Sequence, residues 1–397
     1  MSNRVINKSL FILFCLVLSL GQLQRIELPL GLAIYLHELI MAFWLALSVI
    51  TYPNKLKKFW IKLFKKVKNN QSFVALLILI GVGWITSFWQ GNNLTRPLLY
   101  SLRFGFYISF IGQLFFLHTL KVLSAKTIRK WLLISGTLIL WFGFLQYFFW
   151  PDTRSLIVLG WDDHYFRLIS TILDPGFTGL IFVVTLFLLR PMQLNKLVKT
   201  ALSLLLITGI FLTYSRASYL SLGVLIAALA TQYRKGLNFK ILTPLVVILI
   251  ISLALLNTSN GGEGTNLLRT STIQARISTT TASLSTLKPY QWIIGRGLFV
   301  SSYSINPPQL GSLSQPYHAN LPDNSLLLIL GGTGFAGLLL SAYLLSQYLY
   351  YLHKLQKTFL PILLAVLTHS LFSATLTYPF VLIFLGGSWL VGSKAKT

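Results

Sequence analysis

Apolar runs of about twenty residues, the length needed to cross a hydrocarbon core, follow one another along almost the whole chain. They cover 9–24, 30–51, 72–89, 97–120, 131–150, 175–190, 200–214, 217–232, 241–257, 324–347, 358–376 and 378–393. Read as helices, they predict an all-α, polytopic membrane fold with about twelve transmembrane helices in a single membrane domain, 1–397. The first run has the length of a signal-peptide core, but no small-residue cleavage site follows it, so it reads as a span. No internal repeat marks the chain as a pair of inverted halves.

Three polar stretches interrupt this pattern. In 54–70, Leu56, Phe59, Trp60, Leu63, Phe64 and Val67 share one helical face while seven Lys occupy the rest. That predicts an amphipathic helix lying on anionic membrane lipid at the cytoplasmic surface, in preference to a docking site for a soluble partner. The second stretch, 151–174, is a shorter external loop. The third, 258–323, is the long polar segment of the chain, and loops of that length are usually functional. Within it Ile273, Ile277, Leu284 and Leu287 recur near helical spacing, which predicts short helices forming a partly folded cap over a site at the membrane surface.

Composition agrees with the pattern: 54% of the 397 residues are hydrophobic and 10% charged, where soluble domains average about 25% charged. Cys15 is the single cysteine and lies in the first apolar run, so neither a disulfide nor a Cys-based metal site forms within one chain. The net charge of +25 would suggest nucleic acid in a soluble protein. Here its distribution excludes that partner. With the N-terminus inside and sides alternating, 23 of the 33 basic residues fall in cytoplasmic segments and all eight acids fall elsewhere. The positive-inside rule thus sets both termini in the cytoplasm and faces 151–174 and 258–323 outward.

The two sets of bases differ in kind. Inside there are 19 Lys and 4 Arg; outside there are nine Arg and one Lys. The orientation rule counts both alike, so it leaves this split unexplained. Arginine offers a planar fork that holds phosphate oxygens bidentately, whereas the bland reading is snorkelling to lipid head groups. Arg103 stands apart, inside the fourth run, where a charge is costly; Glu38 in the second run is its expected partner, as a structural pair or a functional one.

The sharpest local pattern is Leu212-Thr213-Tyr214-Ser215-Arg216-Ala217-Ser218-Tyr219-Leu220, a tight turn between two short runs with Arg216 at its tip. Before it comes Gly160-Trp161-Asp162-Asp163-His164-Tyr165-Phe166-Arg167, leading to Asp174-Pro175-Gly176. After it come Gly295-Arg296-Gly297 and Asp323-Asn324-Ser325-Leu326, followed by the glycine-rich 331–337. In this order, and with this span count, the chain resembles the O-antigen ligase/polymerase family of envelope glycosyltransferases, most specifically over 160–340.

The resemblance implies a metal-independent, inverting transfer without cofactors. The donor would be a glycan on polyprenyl (undecaprenyl) diphosphate and the acceptor a saccharide or lipid-core hydroxyl, at the outer face of the bacterial cytoplasmic (inner) membrane. It implies that Arg216 and Arg276 hold the diphosphate, with Arg167 assisting and Arg296 as a further contact. Such transfer needs a base for the acceptor hydroxyl. Family members often carry His directly before the Asn that opens the next span; here that place is Asp323, and the nearest histidine is His318. His318 has the more suitable unperturbed pKa, while Asp323 and Asp174 both read as helix N-caps. His37 and His369 either line a polar cavity or pack in the core; Trp161, Tyr165 and Trp292 are external candidates for stacking on sugar rings. The rival readings are a membrane transporter (a lipid-linked oligosaccharide flippase or an anion carrier) and a scaffold without catalysis. Charge gathered on one side, away from the midplane where transport sites usually lie, favours surface chemistry.

Overall fold

The computed structural model describes residues 3–28, 32–232, 262–267, 269–300 and 324–392. Helices occupy every predicted run except 241–257, which lies outside the described residues: α1 (Asn3–Leu18), α2 (Leu36–Thr51), α4 (Gln71–Trp89), α5 (Thr95–Thr119), α6 (Ala125–Phe149), α7 (Pro175–Leu189), α8 (Lys196–Leu212), α9 (Arg216–Gln232), α12 (Ser325–Leu355), α13 (Leu360–Ser370) and α14 (Pro379–Gly392). The polar stretches supply α3 (Pro53–Lys68), α10 (Ser271–Ser285) and the one-turn α11 (Gln291–Ile294). The protein is mostly helical and an integral membrane protein. By length and apolarity alone, Gln71–Trp89, Pro97–Thr119, Ala125–Phe149 and Ser325–Lys354 suffice to cross a membrane, while Pro175–Leu189, Leu360–Ser370 and Pro379–Val391 are apolar but shorter.

Two predicted runs are corrected at their edges. The first ends at Leu18, not near residue 24, because Gly21 turns the chain with φ +54 and its Cα sits against the Thr171 carbonyl, where a Cβ would collide. The second begins as a strand. β1 (Arg25–Leu28) pairs antiparallel with β2 (Leu32–Tyr35), Arg25 opposite Tyr35 and Leu28 opposite Leu32, so the fold is not purely α. Helix α2 starts only at Leu36, where Glu38 reaches back to the Tyr35 amide at 3.0 Å.

At Tyr52 the chain bends by 108° from α2 into α3. Part of the apolar face of α3 packs on protein: Phe59 meets Phe115 and Phe116 of α5, and the Trp60 ring lies against Gly112. Beyond these, Ile61 and Phe64 stay exposed.

Helix α7 is the centre. Nearly all its side chains are buried, Thr178 to Val184 and Phe187 to Leu189 among them, the mark of a helix covered on all sides. Small residues allow this: Gly136 of α6 sits against Thr185, and Gly179 against Ser218 of α9. Asp174 caps α7 by accepting from the Phe177 amide at 2.7 Å, with Pro175 at the first helical position. Buried polar clamps tie the other helices: Trp44 Nε1 donates to Asn7 Oδ1 at 2.7 Å, and Gln113 Nε2 to Ser48 Oγ at 2.6 Å.

Candidate functional site

The turn between α8 and α9 is built by its own side chains. Thr213 Oγ1 donates to the Ile210 carbonyl (2.6 Å), Tyr214 takes a left-handed φ of +50, and Ser215 Oγ accepts from the Ser218 amide (3.3 Å). These bonds end one helix and begin the next within three residues, leaving Arg216 at the first position of α9. Its Nη1 donates to the carbonyls of Arg269 (3.3 Å) and Leu267 (3.4 Å).

Arg167 comes to the same turn from the 151–174 loop. Its Nε donates to the Thr213 carbonyl at 3.0 Å and its Nη2 to the Tyr214 carbonyl at 3.4 Å, while the Leu168 amide donates to the Leu212 carbonyl at 2.8 Å. Arg269 arrives from the long polar segment, with Nη1 donating to the Gly264 carbonyl at 2.6 Å. Arg167 and Arg269 are both 9% exposed, so two cations are held nearly dry beside a third. Burial first, then the charge of Arg269, pushes Arg167 down to about 10, with Asp174 and Asp162 opposing. A guanidinium strained in this way gains from an anion.

Around Gly176 a second group converges. His369 approaches the Gly176 carbonyl through Nε2 (3.1 Å) and Thr375 Oγ1 through Nδ1 (2.7 Å), and Ser218 Oγ donates to the same carbonyl at 2.9 Å. A Cβ on Gly176 would meet Asp174 Oδ1 at 3.2 Å and Ser215 Oγ and His369 Nε2 at 3.7 Å. Burial holds Asp174 above the usual carboxylate range. The first turn of α12 joins the cluster as well, since Ser325 Oγ donates to the Ser373 carbonyl and accepts from the Leu376 amide, both at 3.3 Å. The starts of α7, α9 and α12 therefore gather at one end of the bundle, and helix N-termini favour anions.

The Gly295-Arg296-Gly297 turn is a separate construction. Gly334 breaks α12 with φ +66, and the carbonyls this frees at Gly331 and Gly332 accept from the Arg296 amide (3.0 Å) and the Gly297 amide (2.9 Å). Helix α4 closes the other side: Trp84 Nε1 donates to the Leu298 carbonyl at 3.0 Å and Ser87 Oγ to the Arg296 carbonyl. Arg296 is 5% exposed, and burial pushes its guanidinium down to about 10; it donates to Ser283 Oγ of α10 (3.4 Å) and to Thr286 Oγ1 at that helix's C-cap (3.1 Å). Arg276, also on α10, is exposed. No described contact joins Arg296 to the Arg167–Arg216–Arg269 group.

His318 and Asp323 lie outside the described residues. The N-cap position of α12 belongs to Asn324, one residue beyond the one expected, and its side chain accepts from the Leu327 amide at 2.8 Å. Glu38 and Arg103 form a forked pair at 2.6 and 2.8 Å; Arg103 also donates to the Ala33 carbonyl, and Tyr107 OH donates to Glu38 at 2.9 Å. The aromatics expected to stack on sugar have partners within the chain: Arg25 over Trp161, Arg154 over Tyr165, and Phe335 stacked on Trp292. Two residues of the arginine group carried no assigned role in the sequence reading, Arg269 and His164. His164 sits in the 160–167 motif three positions before Arg167, and that spacing is the signal the sequence carries for it. Among the described residues no group of three or more His, Cys, Asp or Glu is arranged to hold a metal ion.

No curated protein matches the chain. A protein-family model does: residues 201–342 match the family described as O-antigen ligase, a stretch that runs from α8 through the Arg216 turn and the long polar segment into α12. The resemblance read from the motifs therefore stands: over residues 201–342 the chain is similar to the O-antigen ligase family.

Proposed function

We propose that the protein transfers a saccharide from polyprenyl (undecaprenyl) diphosphate to a sugar hydroxyl, by a metal-independent, inverting reaction at the outer face of the cytoplasmic membrane. The observation that carries this reading is the meeting of Arg167 with Arg216 and Arg269 at the turn between α8 and α9; the turn and the latter two arginines lie inside the segment that matches the O-antigen ligase family. Members of that family imply lipid-linked glycan substrates.

In this account the arginines bind the diphosphate and stabilise the charge that builds on it as the glycosidic bond breaks. Arg216 is central, and Arg276, on the exposed face of α10, closes over the ligand. Arg296 holds its turn against the end of α10, apart from the three-arginine group. His318 or Asp323 takes the proton of the acceptor hydroxyl. The Glu38–Arg103 pair braces the membrane-embedded end of the β1–β2 hairpin. Twelve spans, cytoplasmic termini and outward polar loops complete the arrangement, with α3 on anionic lipid.

The experiment is envelope glycan analysis in a deletion strain complemented with wild type, Arg216→Ala, Arg276→Ala, His318→Ala or Asp323→Ala, at matched membrane levels. Loss of long glycan with both arginine variants supports the reading, and the other two choose the base. A normal glycan profile from all four contradicts it. Laddered products from a purified donor identify a polymerase; a single transfer to a core acceptor identifies a ligase.

A further inference from the structure

His164 is a buried histidine whose ring lacks a hydrogen bond that its surroundings ought to give it. The residue is 8% exposed, and its Nε2 is closed off from solvent with no partner among the described residues. A buried polar atom left unbonded costs roughly 1–3 kcal/mol, so such an atom needs a reason. The loop holds the residue firmly: its carbonyl accepts from both N and Oγ1 of Thr153 at 2.9 Å, and the neighbouring Tyr165 bridges to Asp152.

Gly264 ties the two arginines to this loop: a Cβ there would lie 3.3 Å from Arg167 Cδ and 4.0 Å from the carbonyl of Tyr165, next to His164, and the Gly264 carbonyl accepts from Arg269 Nη1 at 2.6 Å. Burial first, then these two cations, pushes the His164 ring down to about 3. The ring is neutral at any pH near 7, and a neutral imidazole has one N–H to donate. A group of this kind gives a hydrogen bond to an anion and is unsuited to taking a proton.

We propose that His164 is a further ligand-contacting residue of the arginine site, donating a neutral Nε2–H hydrogen bond to a phosphate-type anion held by Arg167 and Arg269. The inference rests on the transferase reading for the identity of that anion as a diphosphate, but not for the anion site itself. An anion there relieves the repulsion between the two guanidinium groups and satisfies Nε2 at once.

The test uses the full-length protein in lipid nanodiscs with two readouts: protection against thermal unfolding by inorganic pyrophosphate, and KM and kcat for a lipid-linked donor. His164→Gln keeps an N–H donor but is no base; His164→Met keeps comparable volume without a donor. His164→Gln should stay within about threefold of wild type in pyrophosphate affinity and donor KM, with an unchanged pH profile, and His164→Met should lose roughly tenfold or more in both. Three results overturn the proposal: no protection of wild type by pyrophosphate, undiminished pyrophosphate binding by His164→Met, or a roughly hundredfold fall in kcat of His164→Gln at unchanged KM, the sign of a proton-transfer role. If His164→Met fails to fold, His164→Gln and its pH profile decide alone. Pyrophosphate binding that His164→Met weakens, in a protein that transfers no glycan, defeats the transferase reading and supports the anion site.

Discussion

The Ser218 hydroxyl donates to the Gly176 carbonyl at 2.9 Å, and this bond fastens the first turn of α9 to the first turn of the buried central helix α7. One turn further along, Gly179 faces Ser218 so closely that a Cβ would lie 2.5 Å from Oγ and 2.7 Å from Cβ. The position of Arg216 relative to Asp174 and His369 depends on that approach.

Gly179→Ala should therefore push α7 and α9 apart, at about 1–3 kcal/mol for overpacking, and lower transfer activity together with stability. Adding Ser218→Gly should recover part of both. Thermal melting of the purified single and double variants, with donor turnover measured on the same samples, checks the coupling.

Arg216→Lys keeps the charge but loses the fork. Donor kcat/KM should fall roughly tenfold to a hundredfold for Lys and about 10²–10³-fold for Ala, the range seen when one oxyanion-stabilising donor is removed. Equal losses for both variants would mean that the fork, and not the charge, is what Arg216 supplies. Steady-state kinetics at matched protein levels reads the difference.

The Glu38–Arg103 pair makes a stability prediction. Its carboxylate is mostly enclosed, accepting from Arg103, Tyr107 and the Tyr35 amide, so Glu38→Leu or Arg103→Leu alone should destabilise by about 3–5 kcal/mol by stranding the remaining charge. The double variant should cost less than either single one. A thermal-melt double-mutant cycle checks this, and additive losses would count against a pair that acts as a unit.

His164 gives the pH prediction. Its folded value, about 3, lies below the unfolded value of about 6.5, so the unfolded chain binds the extra proton first. Its contribution is fully present above about pH 6.5 and is lost as pH falls toward 3, at up to about 1.4 kcal/mol per pH unit. Melting temperatures from pH 7 to 5 should fall less steeply for His164→Gln than for wild type; parallel curves would contradict a buried, neutral ring facing Arg167 and Arg269.

Much of this was legible in the chain. Length and apolarity placed the helices, and the Thr213–Arg216 turn and the Asp174 cap follow from local side-chain chemistry alone. What the sequence could not show is adjacency. Apolar runs give order along the chain but not which helix ends meet, so the grouping of Arg269 and His164 with Arg167 came only from the fold. The Arg296 guanidinium illustrates the same limit. Its Gly-x-Gly setting suggested a ligand contact, yet the turn is shaped by the carbonyls that the Gly334 break exposes, and its described partners are the hydroxyls of Ser283 and Thr286. Gly21 and the β1–β2 hairpin were hidden because an apolar run looks alike as a strand, a turn or a helix end over a few residues.

Transfer from a diphosphate-linked donor is the role proposed for the arginines at the α8–α9 turn. The most direct measurement is release of polyprenyl diphosphate from a lipid-linked saccharide by the purified protein in nanodiscs, counted against glycan transferred to acceptor. The account predicts one diphosphate released per bond formed with wild type and almost none with Arg216→Ala. Donor that crosses the bilayer of a proteoliposome intact, with no diphosphate released, would contradict it and identify a transporter.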